Sequence, residues 1–347
     1  MKACIHRGAT QIGGSCVELE SNSHRLLIDL GLPLDAKDAS GSFLPVSLRT
    51  ENPEDMPWHI VISHPHVDHY GLLHHMPSST NVITGKAARA IIAAAAPFTG
   101  QQTPPLSGPV LEDRKPLKVG PFTITPFLVD HSAYDAYSLL IEAEGRRVFY
   151  SGDFRGHGRK SSLHEKLITT PPSSIHALLM EGTSIGRPEC TEFRYPTEEM
   201  LESQMTEAFM TTTGLAMVHT SAQNIDRVVT MFRSARKSGR ELVIDLYAAA
   251  ILEATRNARL PQSDWEGVRL FIPHSQRLQV KKNGWFELLD RHKTRRIYGE
   301  TLAADPGRYC LLFRPLHQLD LDRSGCLEGA HYIYSQWMGY WDGGSYD

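Results

Sequence analysis

Three histidines and one aspartate, His64, His66, Asp68 and His69, occupy six positions in the stretch SHPHVDHYG, directly after the apolar run HIVI. A neutral imidazole is the commonest protein ligand for zinc, and carboxylate oxygens complete such sites or orient bound water. In an extended or turning segment His64 and His66 point the same way, because side chains alternate with period two. Asp68 and His69, entering the next helix, can converge on the same space from another angle. Four ligands this close can seed two metal positions side by side, as in hydrolases whose paired ions sit ~3.5 to 4 Å apart and share a water. A single histidine at a strand end is ordinarily a hydrogen-bonded surface residue. HxHxDH behind a buried strand is a metal-binding pattern.

Such a cluster needs partners. His131 follows the strand PFTITPFLVD directly, and Asp153 closes the strand RRVFYSGD. Both stand at C-terminal strand ends, from which side chains reach a common sheet edge. Asp29, ending HRLLIDLG, stands in a third such place. There it suits the orienting of a ligand histidine or of the local turn better than ligation.

The elements that must hold these residues are short strands in the first half: CVELES (16–21), HRLLIDLG (24–31), HIVISH (59–64) and NVITG (81–85). KAARAIIAAAA (86–96) reads as a helix stopped by Pro97, and 98–116, rich in Pro, Gly and Gln, as a loop. Strands resume at PFTITPFLVD (121–130), AYSLLIEAEG (136–145) and RRVFYSGD (146–153), with Glu144-Gly145 a hairpin turn, then HALLMEG (176–182). From about residue 190 helices alternate with single apolar strands. TEEMLESQMTEAFMTT (197–212) and NIDRVVTMFRSARKSG (224–239) read as helices, LAMVHTS (215–221) and ELVIDLY (241–247) as strands. That β-α-β texture favours a parallel sheet with right-handed crossovers. The expected division is 1–188 and 189–347.

A length of 347 residues suits two domains, or one with a large insertion, and 41% hydrophobic with 22% charged residues is ordinary globular composition. With a net charge of -3 the whole chain exerts no attraction on phosphate backbones, so any nucleic-acid contact must be local. The basic stretches RGHGRK (155–160), RSARKSGR (233–240) and RHKTRR (291–296) are candidates, each more often a solvated face than a binding patch. Five scattered cysteines without a CxxC pair suggest reduced thiols rather than a disulfide framework or a cysteine zinc site. No apolar h-region precedes the first glycines and no run approaches the ~18 apolar residues of a membrane span. The expectation is a cytoplasmic protein without a membrane partner.

The ordered set LLIDLG, SHPHVDHYG, VDHSAYDAYSLLI and FYSGDFR closely resembles the first four motifs of the metallo-β-lactamase fold. The resemblance implies an α/β fold, the αββα sandwich, with two Zn²⁺ ions, or Mn²⁺ in their place, at one edge. It implies one ion on His64, His66 and His131, the other on Asp68 and His69, and Asp153 bridging them. His66, where the flavo-diiron branch has Glu, favours the zinc hydrolases. LLMEGTSIGR, TSAQNIDR and YIYSQWMGYW are similar to segments of the β-CASP branch, to which ribonuclease J and related RNA-processing and DNA-repair nucleases belong. An inserted β-CASP-like α/β domain is implied, with Glu181 at the branch's first extra acidic motif.

The family's last metal-binding histidine and the further β-CASP histidine lie after the inserted domain, whereas this sequence ends at Asp347, just past YIYSQWMGYW. The expectation is therefore a truncated piece of a longer protein, its C-terminal part missing and its second metal one ligand short. The implied function is a metal-dependent nuclease acting on single-stranded RNA or DNA, most naturally RNA, with Asp68 and Glu181 catalytic. Arg155 and Arg159 are candidates for holding the backbone. Ser221 and Ser335 are candidates for binding phosphate, with local backbone hydrogen bonding the competing role. The resembled nucleases often dimerise, which admits a homodimer here. The alternatives are a metallo-hydrolase of a small ester or phosphodiester, and a non-catalytic member that binds nucleic acid or a protein partner.

Overall fold

A computed structural model describes residues 1–50, 58–100, 103–185 and 195–342. They divide into two units, Met1–Tyr195 and Pro196–Asp347. The expected boundary between residues 188 and 189 lies outside the described residues, as does Cys190.

The first unit is built on two sheets. One runs β1 (Lys2–Arg7), β2 (Cys16–Ser21), β3 (His24–Ile28), β4 (Trp58–Val61), β5 (Val82–Gly85), β6 (Val110–Leu111), side by side in that order. Its first three strands are antiparallel and the rest parallel. The other orders β11 (Ala177–Leu179), β10 (Arg146–Tyr150), β9 (Tyr137–Ala143), β8 (Phe122–Leu128) and β7 (Leu117–Val119), antiparallel except for β10 with β11.

Alternation along the strands decides the layering. Leu26, Ile28 and Val61 pack with Phe122, Ile124, Leu139 and Ile141 of the other sheet, forming the inner core. Their neighbours Leu27, Ile60 and Ile62 face the opposite way and meet Ile92 of the helix Lys86–Thr99. On the outer face of the second sheet Phe127, Leu140 and Phe149 receive Leu167 of the helix Ser161–Thr169. Helix, sheet, sheet, helix is the αββα sandwich, and strand ends buried on both faces explain why LLI and IVI read as unbroken apolar runs. The turn at Glu144 and Gly145, with φ of 50° and 68°, is the doubly left-handed kind that two-residue hairpins favour.

Three expectations need correction. Pro97 does not stop the helix, which runs to Thr99 and ends at Gly100, φ 70°. A proline in the last turn removes one hydrogen bond near an end that is fraying already, and the left-handed glycine is the true stop. The segment 98–116 is not all loop, because Val110 and Leu111 pair with Thr84 and Gly85 as β6. The strand expected over 241–247 ends at Ile244, because Asp245 accepts from Ala248 N at 2.8 Å and caps a helix, Leu246–Ala254.

In the second unit the strands are β12 (Ala216–His219), β13 (Glu241–Ile244), β14 (Val268–Phe271), β15 (Arg296–Ile297), β16 (Tyr309–Phe313) and β17 (His331–Tyr334). They form one parallel sheet in the order β15-β14-β13-β16-β12-β17. Right-handed crossovers that first run one way along the sheet and then return put helices on both faces. Helix Ile225–Lys237, whose Asn224 cap accepts from Arg227 N at 3.2 Å, packs on β13 and β16. Leu302 and Leu321, from the helices Gly299–Ala304 and Gln318–Ser324, join Met217, Val243 and Leu311 in one core. No helix among the described residues is long and apolar enough to cross a membrane.

Candidate metal centre

The histidine cluster begins where β4 ends. Ser63 O accepts from Tyr137 N of the opposite sheet at 3.0 Å, which brings the ends of β4 and β9 together. His66 then stands as the cap of the one-turn helix Val67–Tyr70, which carries Asp68 and His69. The turn is held against the end of β3: Leu30 N donates to His69 O at 2.8 Å and Ser15 N to Asp68 O at 3.0 Å. Gly31 is obligatory at this crossing, since a Cβ there would lie 1.7 Å from Asp68 O.

From the second sheet come His131, after β8, and Asp153, after β10. Asp135, in the same loop as His131, accepts from Ala87 N and Ala88 N at 2.8 and 3.0 Å and from Tyr137 Oη at 2.8 Å. It therefore ties that loop to the start of the helix Lys86–Thr99. Asp130, fully buried, accepts from Gly158 N at 2.7 Å and lies 3.5 Å from Arg155 Nε.

Two groups of ligand atoms result, His64 with His66 and His131, and His64 with His69 and Asp153, each with its atoms within 4.8 Å of one another. The His64 ring centre is 4.9 Å from that of His66, 4.7 Å from that of His131 and 3.9 Å from that of His69. His131 Nε2 stands 3.3 Å from His66 Nδ1. His69 Nε2 stands 3.5 Å from Asp153 Oδ2 and 3.7 Å from Asp68 Oδ2. A tetrahedral zinc with Zn–N of ~2.0–2.1 Å places its ligand nitrogens ~3.3–3.4 Å apart, so the spacing of His66 and His131 suits such an ion.

Buried His64 Nε2 has no hydrogen-bond partner among the described residues. A buried polar atom left this way is costly unless something else takes its lone pair. Burial, reinforced by the neighbouring imidazoles, holds His64 well below the ordinary histidine range. It does the same to His131, and lowers His66 against the pull of Asp68. Three imidazoles kept neutral are three available donors. His69 is the opposite case: burial opposes its charge, yet Asp153, Asp29 and Asp68 together lift it well above the usual range. Burial would likewise raise Asp153, but His69 and then His131 and His66 hold it below the carboxylate range. This half of the site has a negative environment that a cation satisfies.

Asp29 is placed to orient its neighbours, with both carboxylate oxygens engaged in hydrogen bonds. Its φ of 61° turns the chain out of β3. Oδ1 accepts from Ser63 N at 2.7 Å, and Oδ2 lies 2.9 Å from Ser63 Oγ, 2.7 Å from Tyr150 Oη and 2.8 Å from His69 Nδ1. Ser63 Oγ in turn is 3.0 Å from His64 Nδ1. One buried carboxylate thus presents Nε2 of His69 to the centre and, through Ser63, that of His64. Ser63 and Tyr150 carry no spacing signal in the sequence and were not foreseeable, nor was Asp135.

Asp68, His69, Asp153 and Glu181 line an open cavity of about 720 Å³. Glu181, following β11, accepts from Phe154 N at 2.9 Å, while its own N donates to Ser151 Oγ at 2.9 Å. Burial, and then Asp153, raise its carboxyl above the usual range. Arg155 is mostly buried against Asp130 and Arg159 is half-buried. Ser221 and Ser335 belong to the second unit, after β12 and β17. Ser221 Oγ accepts from Gln223 N at 3.2 Å, and Ser335 Oγ accepts from Arg227 Nη1.

Ribonuclease J of Helicobacter pylori (strain ATCC 700392 / 26695) is 22% identical over 254 residues, covering 68% of this chain and 35% of that protein. Ribonuclease J of Sinorhizobium meliloti is 22% identical over 225 residues, covering 62% and 38%. The chain thus spans little more than a third of the length of these curated relatives. Among solved structures, a protein of unknown function from Enterococcus faecalis V583 superposes with a TM-score of 0.72 at 19% identity, over 96% of this chain and 87% of that one. That likeness speaks for the fold alone. Residues 24–182, which contain every metal-ligand candidate from His64 to Asp153, match the beta-lactamase superfamily domain.

Proposed function

We propose that the protein is a metal-dependent nuclease that hydrolyses phosphodiester bonds of single-stranded nucleic acid, RNA before DNA. The observation that carries the reading is the pair of ligand groups that share His64, the second of which lines an open cavity through His69 and Asp153. The similarity to ribonuclease J supports the choice of substrate. In this reading His64, His66 and His131 hold one zinc ion, Asp68 and His69 the other, and Asp153 serves both; manganese is the alternative metal. The parallel sheet of the second unit is the β-CASP-like domain.

Divalent cations at the two positions supply positive charge against a phosphodiester and make water a competent nucleophile at neutral pH. The chain's own residues do the rest. Asp68, with its carboxylate on the cavity wall, orients the attacking water and accepts its proton. Glu181 holds the Asp153–Arg155 turn through Phe154 N and faces the same cavity. Ser221 and Ser335 each accept one hydrogen bond and keep an O–H to donate to a phosphate oxygen. Arg155 and Arg159 add positive charge in the first unit.

The test is the substrate. Metal-loaded protein is incubated with labelled single-stranded RNA, single-stranded DNA and a chromogenic phosphodiester. Cleavage of RNA, abolished in Asp68→Asn, is expected; turnover of the chromogenic compound alone would end the nuclease reading.

A further inference from the structure

The second unit has a polar cavity of its own, of about 480 Å³, at the N-terminal ends of its strands. Five arginines line it: Arg236, Arg240, Arg269, Arg295 and Arg308. Arg236 and Arg240 come from the basic stretch RSARKSGR and Arg295 from RHKTRR, so two runs that each read as a solvated face meet at one place.

The charges there are not balanced. Glu241 and Glu266 are the carboxylates of the lining, which leaves five positive groups against two, or against three when Asp305, which acts on Arg240, is included. Glu241 alone serves both Arg269, at 2.5 Å, and Arg308, at 2.6 Å. Arg240 is buried, and its N–H groups go to the uncharged carbonyls of Phe209, Gly214 and Tyr309, each at 2.9 Å, and of Thr212. Arg295 uses Nε on Val268 O at 3.1 Å. The Arg236 side chain makes no hydrogen bond or ion pair among the described residues, and its guanidinium lies 6.0 Å from the Phe232 ring centre.

A chain with a net charge of -3 thus gathers an excess of positive charge in one concave place. Like charges this close repel one another, and an anion relieves the repulsion. Guanidinium forks with unused N–H groups match the oxygens of a phosphate, which two arginines can grip together. A volume of this size admits a group as large as a nucleotide.

We propose that this cavity is a phosphate-binding site, occupied by a phosphate-bearing anion, whether a free compound or the phosphodiesters of a single-stranded nucleic acid. The proposal does not rest on the nuclease reading, because the cavity lies within Pro196–Asp347 and the metal-ligand candidates within Met1–Tyr195.

The experiment titrates pyrophosphate, followed by calorimetry, and a fluorescein-labelled RNA decamer, followed by anisotropy at several salt concentrations, into the full metal-loaded chain. Two variants accompany it: the double variant Arg236→Glu/Arg295→Gln and, to remove anion binding at the metal centre, His64→Ala. The expected result is about tenfold weaker binding of one or both probes in the arginine variant, with binding kept in His64→Ala. If RNA is the occupant, the salt slope of its binding falls by about 2 as well. Loss of pyrophosphate alone assigns a free phosphate compound, and loss of RNA alone assigns a nucleic acid. Unchanged affinity for both probes, in a variant whose thermal midpoint equals that of the wild type, overturns the site. Should the double variant fail to fold, Arg236→Gln gives the same readout, since that guanidinium makes no hydrogen bond among the described residues. Hydrolysis of a small phosphodiester at the metal centre is the control and stays unchanged in either arginine variant.

Discussion

The Asp29 carboxylate stands 2.8 Å from Nδ1 of His69, forty positions along the chain. A carboxylate behind a ligand histidine fixes the tautomer that leaves Nε2 free for a cation. Asn is among the few residues that tolerate the left-handed backbone of position 29, so Asp29→Asn removes the charge and one acceptor while keeping the turn. Metal affinity, read by competition with a chromogenic chelator, is expected to fall ~10- to 100-fold. Unaltered affinity would show that His69 needs no such support.

His64 belongs to both groups of ligand atoms, whereas Asp68 belongs to neither three-residue set and stands 3.7 Å from His69 Nε2. His64→Ala is therefore expected to empty the His64, His66 and His131 position and to weaken the other. Asp68→Asn should leave the His64, His66 and His131 position filled while abolishing hydrolysis. Elemental analysis of the purified variants decides, and equal metal content in the two would contradict the assignment.

A methyl group at position 31 would collide with the backbone carrying Asp68, whereas one at position 145, where φ is 68°, meets nothing within 4 Å. Gly145→Ala is expected to cost ~1 kcal/mol of stability, from its left-handed backbone. Gly31→Ala should cost more than about 3 kcal/mol and displace the Asp68 carboxylate, since backbone cannot yield as a side chain does. Urea midpoints rank the two, and a milder effect at Gly31 would mean that the turn is looser than its hydrogen bonds indicate.

His317, fully buried beside Asp245 and Arg314, is lowered by burial from 6.5 to about 4. A group whose folded pKa is depressed takes up its proton more readily in the unfolded chain. Its stabilising contribution is complete above pH 6.5 and is lost as pH falls towards 4. The loss is on the order of 2 to 3 kcal/mol by pH 4.5. Comparing urea unfolding of wild type and His317→Gln at pH 7.5 and 4.5 isolates this share, and a parallel fall in both proteins would refute it.

What could be seen in the sequence divides along physical lines. His64, His66, Asp68 and His69 were legible as a cluster because candidate ligands on one turn declare themselves by spacing, and β3 and β4 because burial on both faces makes LLI and IVI apolar. His131 and Asp153 were legible from their places after such strands. Ser63 and Tyr150 were not, since a hydroxyl on a strand looks alike whether it orients a carboxylate or meets water. Strand β6 was hidden because two residues show no periodicity. Pro97 misled because its cost depends on which turn of the helix it occupies. The five-arginine cavity escaped because residues some sixty positions apart meet only through the parallel sheet.

The hydrogen bond from Tyr137 N to Ser63 O ties the two sheets together at the edge where the metal-ligand candidates gather. His64, His66 and His69 belong to one sheet's connections, and His131 and Asp153 to the other's. A cation held by both is a rivet across the seam of the sandwich, and its binding energy adds to the cohesion of the layers. Chelation should therefore act as a mechanical release as well as an inhibitor, letting the edge open before the helices on the outer faces melt.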